Sequence, residues 1–216
     1  MKVNTDGVLL GAWADVDRAK RILDIGTGTG VIALMMAQKN ELATIDAIDV
    51  DEDAYQEAKE NFETSLWSSR LQTFHSSLQT FEPGKKYEVI ISNPPYFIDD
   101  YKTGKAKKDV AKHSTELNYV DLLSGINRLL DEHGKVFLVI PLFNFERVKI
   151  LAEAQHLYVT AITEVTATSG KAAYVVLLKL ERIASPYSIQ TLQIQNGDGI
   201  FTDDYKLLTK DFYLKF

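Results

Sequence analysis

The chain contains no cysteine among its 216 residues. This absence excludes disulfide bonds, thiolate metal ligands and cysteine nucleophiles. Histidine is also scarce, and the four histidines are scattered without the spacing of metal ligands, so we expect no metal site. The apolar runs, such as 31–37 and 136–140, are far shorter than the roughly 20 residues that a membrane helix needs.

The segment 8–14 is apolar and ends in Ala-Trp-Ala, which is similar to a weak signal peptide. Asp6 directly before this segment, with a single lysine in front of it, argues against that interpretation. We therefore expect a cytoplasmic protein without a membrane anchor.

The remaining composition is typical of a globular protein, with 45% hydrophobic and 25% charged residues. The length fits one large domain, so we expect residues 1–216 to form a single domain. No linker precedes the tail at 185–216, which we therefore expect to be an extension packed on that domain. The sequence does not indicate an oligomer, and we expect a monomer.

Strand and helix patterns alternate along the chain, which indicates parallel strands joined by crossover helices. Helices are predicted at 30–38, 52–62 with Asp51 as N-cap, 119–130, 145–154 and 203–211. Strands are predicted at 21–25, 44–49, 71–75, 87–92, 135–141, 157–165, 174–180 and, within the tail, 188–195. We expect the runs 157–165 and 174–180 to pair antiparallel.

A glycine loop follows the first predicted strand and opens a helix. It reads Asp24-Ile-Gly26-Thr-Gly28-Thr-Gly30, and glycines allow a backbone to turn tightly and to approach a ligand closely. Dinucleotide-binding loops space their glycines differently, which disfavours an NAD oxidoreductase. The spacing here is similar to that of the loop that binds S-adenosylmethionine, whose cationic sulfonium and ammonium groups suit a carboxylate such as Asp24.

Asp49 ends the second predicted strand, about nineteen residues beyond Gly30. An acid at this position can accept hydrogen bonds from both hydroxyls of a ribose. Together with the glycine loop, Asp49 predicts a nucleoside-like cofactor at this edge of the sheet.

Asn93-Pro94-Pro95-Tyr96 follows the fourth predicted strand. The side-chain oxygen of Asn93 and the carbonyl of Pro94 could accept the two hydrogens of a planar amine, while Tyr96 or Phe97 could stack on its ring. The two prolines fix φ and remove competing backbone donors. The run is similar to the signature of enzymes that methylate planar nitrogens. If the first and fourth strands are neighbours, the glycine loop and Asn93 face one crevice.

A lysine-rich segment comes directly after this run. Residues 101–113 contain five lysines and one aspartate, a net charge of +4 in a chain of net charge −6. Such a segment could contact the phosphates beside a target base, although a solvated surface loop has the same composition. The candidates for these contacts are Lys102, Lys105, Lys107 and Lys108.

Taken together, these features resemble the bacterial tRNA (adenine-N6)-methyltransferases that modify valine tRNA at adenine-37. The resemblance covers the opening block 1–13 (MKVNTDGVLLGAW), the two site motifs at 24–30 and 91–96, and the ending 204–214 (DYKLLTKDFYL). Members of that family usually carry some twenty further residues before the Met-Lys-Val block.

The resemblance implies a Rossmann-like class I methyltransferase of α/β architecture. Its sheet would have seven mostly parallel strands, an antiparallel last strand and helices on both faces. It further implies S-adenosylmethionine as cofactor and the anticodon loop of a tRNA as partner. The catalytic residues would be Asn93, Pro94 and Tyr96.

The resemblance also extends to residues around the cofactor. The cofactor would be held by Asp24, Gly26, Gly28, Gly30, Asp49, Ser77 and Asn93. At Ser77 the family usually has an aspartate that binds the cofactor's adenine, so this contact departs from the pattern. Thr5 and Asp6 would lie near the cofactor's methionine end or the adenine pocket, unless they serve as the N-cap of a first helix.

Three alternatives remain open at this point. The same chemistry acts on the glutamine amide of release factors and on bases of DNA or rRNA. The release-factor and DNA enzymes usually carry additional domains, for which the chain has no room. A catalytically silent cofactor-binding protein acting as an RNA adaptor is the third alternative, and the intact Asn93-Pro94-Pro95-Tyr96 run argues against it.

Overall fold

The computed structural model of the protein describes residues 4–95 and 118–214. Within these ranges the chain forms six α-helices and eight β-strands. The helices are α1 (Thr5–Trp13), α2 (Val31–Lys39), α3 (Glu52–Thr64), α4 (Tyr119–Leu129), α5 (Phe145–Glu153) and α6 (Asp203–Thr209). The strands are β1 (Arg21–Ile25), β2 (Thr44–Asp49), β3 (Leu71–His75), β4 (Tyr87–Ser92), β5 (Leu130–Pro141), β6 (Tyr158–Thr168), β7 (Val175–Glu181) and β8 (Ile189–Gln195).

All eight strands form one sheet in the order β3-β2-β1-β4-β5-β7-β6-β8. Strand β7 is antiparallel to both of its neighbours, and the other pairings are parallel. The expected antiparallel pairing of the runs around β6 and β7 is therefore confirmed. The strand order reverses between β1 and β4, which is the point at which open α/β sheets bind their ligands.

The sheet has eight strands, so the expected seven-stranded sheet was wrong by one strand. The additional strand is β8, which pairs in parallel with β6 from Ile162↔Ile189 to Thr168↔Gln195. The pairing covers the outer edge of β6, whose backbone donors and acceptors would otherwise face solvent. It also buries Leu192 and Ile194 in the hydrophobic core.

Strand β5 begins five residues before the predicted start at residue 135. Tyr87 pairs with Leu130 and Val89 with Lys135, so residues 131–134 bulge out of an otherwise regular ladder. Gly134 makes this path possible, because a Cβ at this position would lie 2.6 Å from the Leu130 side chain and 3.1 Å from the Tyr87 carbonyl. Gly134 falls between the predicted helix 119–130 and the predicted strand 135–141, and in the structure it lies inside β5.

Hydrophobic residues cover both faces of the sheet, because side chains alternate between the faces along a strand and the central strands β1 and β4 are buried almost throughout. On one face the core takes residues from α1, α2, α3 and α6, including Leu10, Met36 and Phe62. On the other face it takes residues from α4 and α5, including Ile126 and Val148. Helices on both faces are thus confirmed.

Helix α1 is buried from Gly7 to Ala12 and is fixed at both ends. At its start, the Asn4 side chain accepts a hydrogen bond from the Gly7 N–H. At its end, Lys39 Nζ donates to the carbonyls of Gly11, Ala12 and Ala14. These carbonyls are acceptors that a helix C-terminus leaves without intrahelical partners, so Lys39 anchors α1 to α2.

Replacing Lys39 with methionine tests this anchor, because methionine keeps the apolar stem and removes the donors. We expect the free energy of unfolding to fall by about 1.5–3 kcal/mol, the range for hydrogen bonds that involve a charged group. Urea denaturation measures the change. Lys59→Met on the exposed face of α3 is the matched control and should change stability by less than about 0.5 kcal/mol. Equal urea midpoints of unfolding for Lys39→Met and Lys59→Met would contradict the anchoring role.

Candidate active site at the β1–β4 edge

The carboxyl ends of β3, β2, β1 and β4 bring the predicted cofactor residues, together with Asn93 and Pro94, to one edge of the sheet. Ile25 of β1 pairs with Ser92 of β4, so the glycine loop and Asn93 leave adjacent strands side by side. The hydroxyl of Ser92 donates to the Ile25 carbonyl over 2.8 Å and ties the two strand ends together. The neighbouring position of these strands, on which the site prediction depends, is confirmed.

The glycines of the loop meet two different requirements. Gly26, Gly28 and Gly30 all have positive φ, at 69°, 57° and 80°. A Cβ added at Gly26 would meet nothing within 4 Å, so this position faces open space where a ligand can approach. A Cβ at Gly30 would lie 2.5 Å from the ring of Phe62, so Gly30 is required by packing as well as by its conformation.

Asp24 is fully buried beneath the loop. Its Oδ2 accepts a hydrogen bond of 2.6 Å from the Thr27 hydroxyl, while Oδ1 has no hydrogen-bond partner among the described residues. Burial raises the pKa of Asp24 to about 7, and the charge of Asp49 adds to this rise. The Thr27 hydroxyl and the Ala33 N–H oppose it. A buried oxygen without a partner beside a glycine loop is suited to a cationic ligand.

Asp49 is half-buried at the end of β2 and holds the loop from the other side. Its Oδ2 accepts from the Gly28 N–H over 2.8 Å, and Oδ1 accepts from the Asp51 N–H over 3.0 Å. Each carboxylate oxygen has a second lone pair, so the group can still accept hydrogen bonds from a ligand. The next residue, Val50, is 58% exposed and offers an apolar surface that the sequence analysis did not identify.

Ser77 lies beyond Asp49 on the same edge. The Ser76 N–H donates to the Asp49 carbonyl, which places this segment beside the end of β2. The Ser77 hydroxyl shares a 2.8 Å hydrogen bond with the Thr80 hydroxyl. A serine hydroxyl can both donate and accept, so Ser77 can still offer a hydrogen bond where the family usually has a carboxylate.

Asn93 is half-buried at the end of β4, followed by the buried Pro94 and the exposed Pro95. Its Nδ2 donates to the Asn4 side-chain oxygen over 3.3 Å. The start of α1 therefore belongs to the same site as the ends of β1 and β4. The sequence analysis missed Asn4, whose only local signal is a residue type that favours helix N-caps.

Thr5 and Asp6 form the first turn of α1, and the N-cap is Asn4, so the N-cap alternative for these two residues was wrong. Asp6 Oδ1 accepts a hydrogen bond of 2.8 Å from the Tyr174 hydroxyl. Thr5 borders a cavity of about 370 Å³ at the carboxyl ends of β6 and β8. The other lining residues are Ala167, Tyr174, Ile194, Gln195, Phe201, Tyr205 and Tyr213.

The residues that we predict to stack on the base or to contact phosphates lie outside the described ranges. They are Tyr96, Phe97, Lys102, Lys105, Lys107 and Lys108. Within residues 4–95 and 118–214, no group of three His, Asp or Glu side chains could hold a metal ion. No helix in these ranges has the length and apolar character needed to cross a bilayer.

The raised pKa of Asp24 predicts a specific pH dependence of stability. The folded-state pKa of about 7 exceeds the ordinary value of 3.8, so the folded state holds a proton that the unfolded chain releases between these values. Asp24 should therefore lower stability progressively as pH rises from about 4 to 7, by an amount on the order of 4 kcal/mol. Asp24→Asn cannot titrate and should become more stable, relative to the unmodified protein, over this range.

Urea denaturation at pH values of about 4.5, 6 and 7.5 measures this difference. A stability difference between the two proteins that stays constant with pH would contradict a protonated Asp24.

Comparison with known proteins finds relatives along the whole chain. Residues 6–161 match the methyltransferase small domain family. A protein of Flavobacterium johnsoniae named tRNA1(Val) (adenine(37)-N6)-methyltransferase is 42% identical and is aligned over 100% of this chain and 93% of its own length. A protein of the same name from Aeromonas hydrophila is 39% identical over 100% of this chain and 91% of its own length.

Solved structures agree in fold. A predicted O-methyltransferase from Agrobacterium tumefaciens matches with a TM-score of 0.75 and 17% identity, over 95% of this chain and 96% of that one. An O-methyltransferase from a polyketide synthase of Brevibacillus brevis, solved with S-adenosyl-L-homocysteine, matches with a TM-score of 0.56 and 12% identity over 81% and 70% of the two chains. The fold is thus the Rossmann-like class I architecture, and the chain belongs to the methyltransferase small domain family, among the relatives named tRNA1(Val) (adenine(37)-N6)-methyltransferase.

Proposed function

We propose that the protein transfers a methyl group from S-adenosylmethionine to the N6 amino group of adenine-37 in a valine tRNA. The observation that carries the proposal is the position of Asn93 beside the glycine loop, on paired strands, in a chain about 40% identical over its full length to relatives of that name. An enzyme that acts on tRNA would work in the cytoplasm.

The residues of the edge fit this cofactor. Asp49 can accept hydrogen bonds from the ribose hydroxyls, and Val50 beside it offers apolar surface for the adenine ring. The partnerless Oδ1 of Asp24 suits the cationic methionine part, directly or through water. Gly26 leaves the space that a ligand needs at the loop. When bound, S-adenosylmethionine supplies an electrophilic methyl group on a positively charged sulfur.

The substrate nitrogen presents the main chemical difficulty. The lone pair of an adenine amine is delocalised into the ring, which makes the amine a weak nucleophile. Asn93 Oδ1 and the Pro94 carbonyl can accept its two hydrogens and turn the lone pair out of the ring plane. As the nitrogen bonds to the methyl carbon, the bond between that carbon and the sulfonium sulfur would break, S-adenosylhomocysteine would leave as a neutral thioether, and the nitrogen would lose one proton to an acceptor or to water.

Alignment and electrostatics therefore account for the proposed catalysis, and the mechanism needs no protein nucleophile. Tyr96 or Phe97 would stack on the extruded base, as enzymes that act on single bases require. Lys102, Lys105, Lys107 and Lys108 would contact the phosphates of the anticodon loop. These contacts would supply positive charge in a chain whose net charge is −6.

Nucleoside mass spectrometry of tRNA tests the proposal directly. The protein and S-adenosylmethionine are incubated with tRNA that lacks the modification, and the digest is analysed for N6-methyladenosine. We expect one methyl group per valine tRNA, and none in a transcript with guanosine at position 37. Methylation of a release factor, DNA or ribosomal RNA instead would assign the same chemistry to another substrate. No transfer to any of these would favour the silent adaptor.

Asn93→Ala tests the catalytic role. The variant loses an acceptor that acts on the reacting amine, so turnover should fall by about 10²–10³-fold, the range for removing one preorganised polar group. Cofactor affinity, measured by calorimetry, should change by less than about 3-fold. Comparable losses in turnover and in cofactor affinity would argue that Asn93 holds the cofactor and does not act on the amine.

Asp49→Ala should give the opposite pattern. Its carboxylate is proposed to accept hydrogen bonds from the ribose hydroxyls. Hydrogen bonds to charged groups contribute about 1.5–3 kcal/mol to binding. Cofactor affinity should therefore fall by roughly 10- to 150-fold, while turnover at saturating cofactor changes little. Unchanged affinity would remove Asp49 from the cofactor site.

A further inference from the structure

The side-chain oxygen of Asn4 receives two hydrogen bonds, one from its own helix and one from the end of β4. The Gly7 N–H donates over 2.7 Å, and Nδ2 of Asn93 donates over 3.3 Å. The oxygen and nitrogen of an asparagine amide are usually assigned only from their surroundings. Here the assignment follows from Gly7, because a backbone N–H can only donate and the Asn4 atom that it meets must be oxygen.

That assignment determines the orientation of the Asn93 amide. An amide oxygen can only accept, so the Asn93 atom that faces Asn4 Oδ1 must be the nitrogen. The Asn93 oxygen consequently points to the opposite side of the amide. In the flipped orientation two oxygens would face each other across the 3.3 Å contact, with no hydrogen between them.

We propose that Asn4 is a positioning residue that fixes the orientation of the Asn93 amide and thereby presents Oδ1 of Asn93 to the substrate amine. The inference rests on the proposed function, since only an amine substrate requires an acceptor at this position. A flipped Asn93 would offer hydrogen-bond donors to an amine that itself donates, and such a complex is unproductive.

The surrounding structure supports this pairing. Gly7 leaves room for it, because a Cβ at Gly7 would lie 3.0 Å from Asn4 Oδ1 and 3.5 Å from Asn93 Nδ2. Lys39 holds the other end of α1, so the pairing of Asn4 with Asn93 starts from a helix that is anchored at its C-terminus. Asn4 thus connects a rigid, buried helix to the catalytic loop.

A simpler alternative is that Asn4 only caps α1. Asparagine, aspartate and serine are nearly equivalent N-caps, so substitutions among them separate the two roles. An aspartate in place of Asn4 would be acceptor-only and would still fix Asn93, whereas a serine hydroxyl both accepts and donates and would tolerate either orientation. Asn4→Asp and Asn4→Ser should therefore match in thermal stability and differ in turnover.

Turnover of the two variants is the first test. We expect Asn4→Asp to retain most of kcat and Asn4→Ser to lose roughly 3- to 10-fold in kcat, with KM for tRNA nearly unchanged. Asn118→Ser is the matched control, because Asn118 caps α4 through the Asp121 N–H in the same way. It should leave kcat unchanged. Equal turnover of Asn4→Asp and Asn4→Ser would overturn the inference.

A double-mutant cycle compares the effect of Asn4→Ser on turnover with Asn93 and with Asp at position 93. The proposal predicts effects of opposite sign in the two backgrounds, which a capping role alone cannot produce. In Asn93→Asp, both side-chain oxygens are acceptors, so one of them meets the acceptor Asn4 Oδ1. Adding Asn4→Ser supplies a hydroxyl donor and should raise the melting temperature and any residual turnover of Asn93→Asp. The same substitution lowers turnover when Asn93 is present. If Asn4 only caps α1, Asn4→Ser should change turnover in the same direction in both backgrounds. That result would refute the proposal.

A readout without tRNA separates this inference from the proposed function. The side-chain amide resonance of Asn93, identified by its loss in Asn93→Asp, should show slow hydrogen exchange in the unmodified protein and in Asn4→Asp. The exchange should be at least several-fold faster in Asn4→Ser. Slow exchange together with an absence of tRNA methylation would refute the proposed function and leave the orientation by Asn4 intact. Equally fast exchange in all three proteins would refute the orientation.

Discussion

The parallel pairing of β1 with β4 is the constraint on which the whole site depends. It places Ile25 opposite Ser92, so that a glycine loop and an asparagine-proline run leave the sheet as neighbours. Neither segment could form the proposed reaction site alone, because the glycine loop is proposed to hold the cofactor and the asparagine-proline run to accept hydrogen bonds from the substrate amine. The Ser92 hydroxyl on the Ile25 carbonyl keeps the two strand ends together at the point where they diverge.

Helix α1 supplies the third side of the site and shows how distant packing can act on chemistry. Its burial between the sheet and α2, and the three carbonyls bound by Lys39, fix where its first residue lies. Gly11 allows this close packing, since a Cβ there would lie 2.7 Å from the sulfur of Met35. Stability and the proposed catalytic geometry therefore both depend on one short helix, and substitutions in its apolar face should affect both.

Much of the fold could be predicted from the sequence because its signals are local. The predicted limits of β1 to β4 agree with the structure. Three of these strands end at a local signal: a glycine follows β1, the N-cap of α3 follows β2, and a proline pair follows β4. The position of β8 could not be predicted in this way, because alternation in residues 189–195 indicates a strand but does not name β6 as its partner. Likewise, a glycine after a predicted helix usually marks the end of that helix. The close approach of Gly134 to the Tyr87 carbonyl, which the sequence does not show, explains why it lies in a strand.

The residues of the candidate site also fall into two groups, those that local patterns predict and those that only contacts between distant segments reveal. Glycine spacing and the acid after β2 are local patterns, whereas Asn4 acquires its importance from a side chain 89 residues away. Asp24 adds a property that no pattern reveals. With a pKa of about 7 it exchanges its proton near neutrality, and an arriving cation must displace that proton to meet a negative charge. If the proposed cationic ligand binds at the glycine loop, its uptake would be coupled to the release of this proton, and mild acidification would weaken its binding by keeping Asp24 protonated.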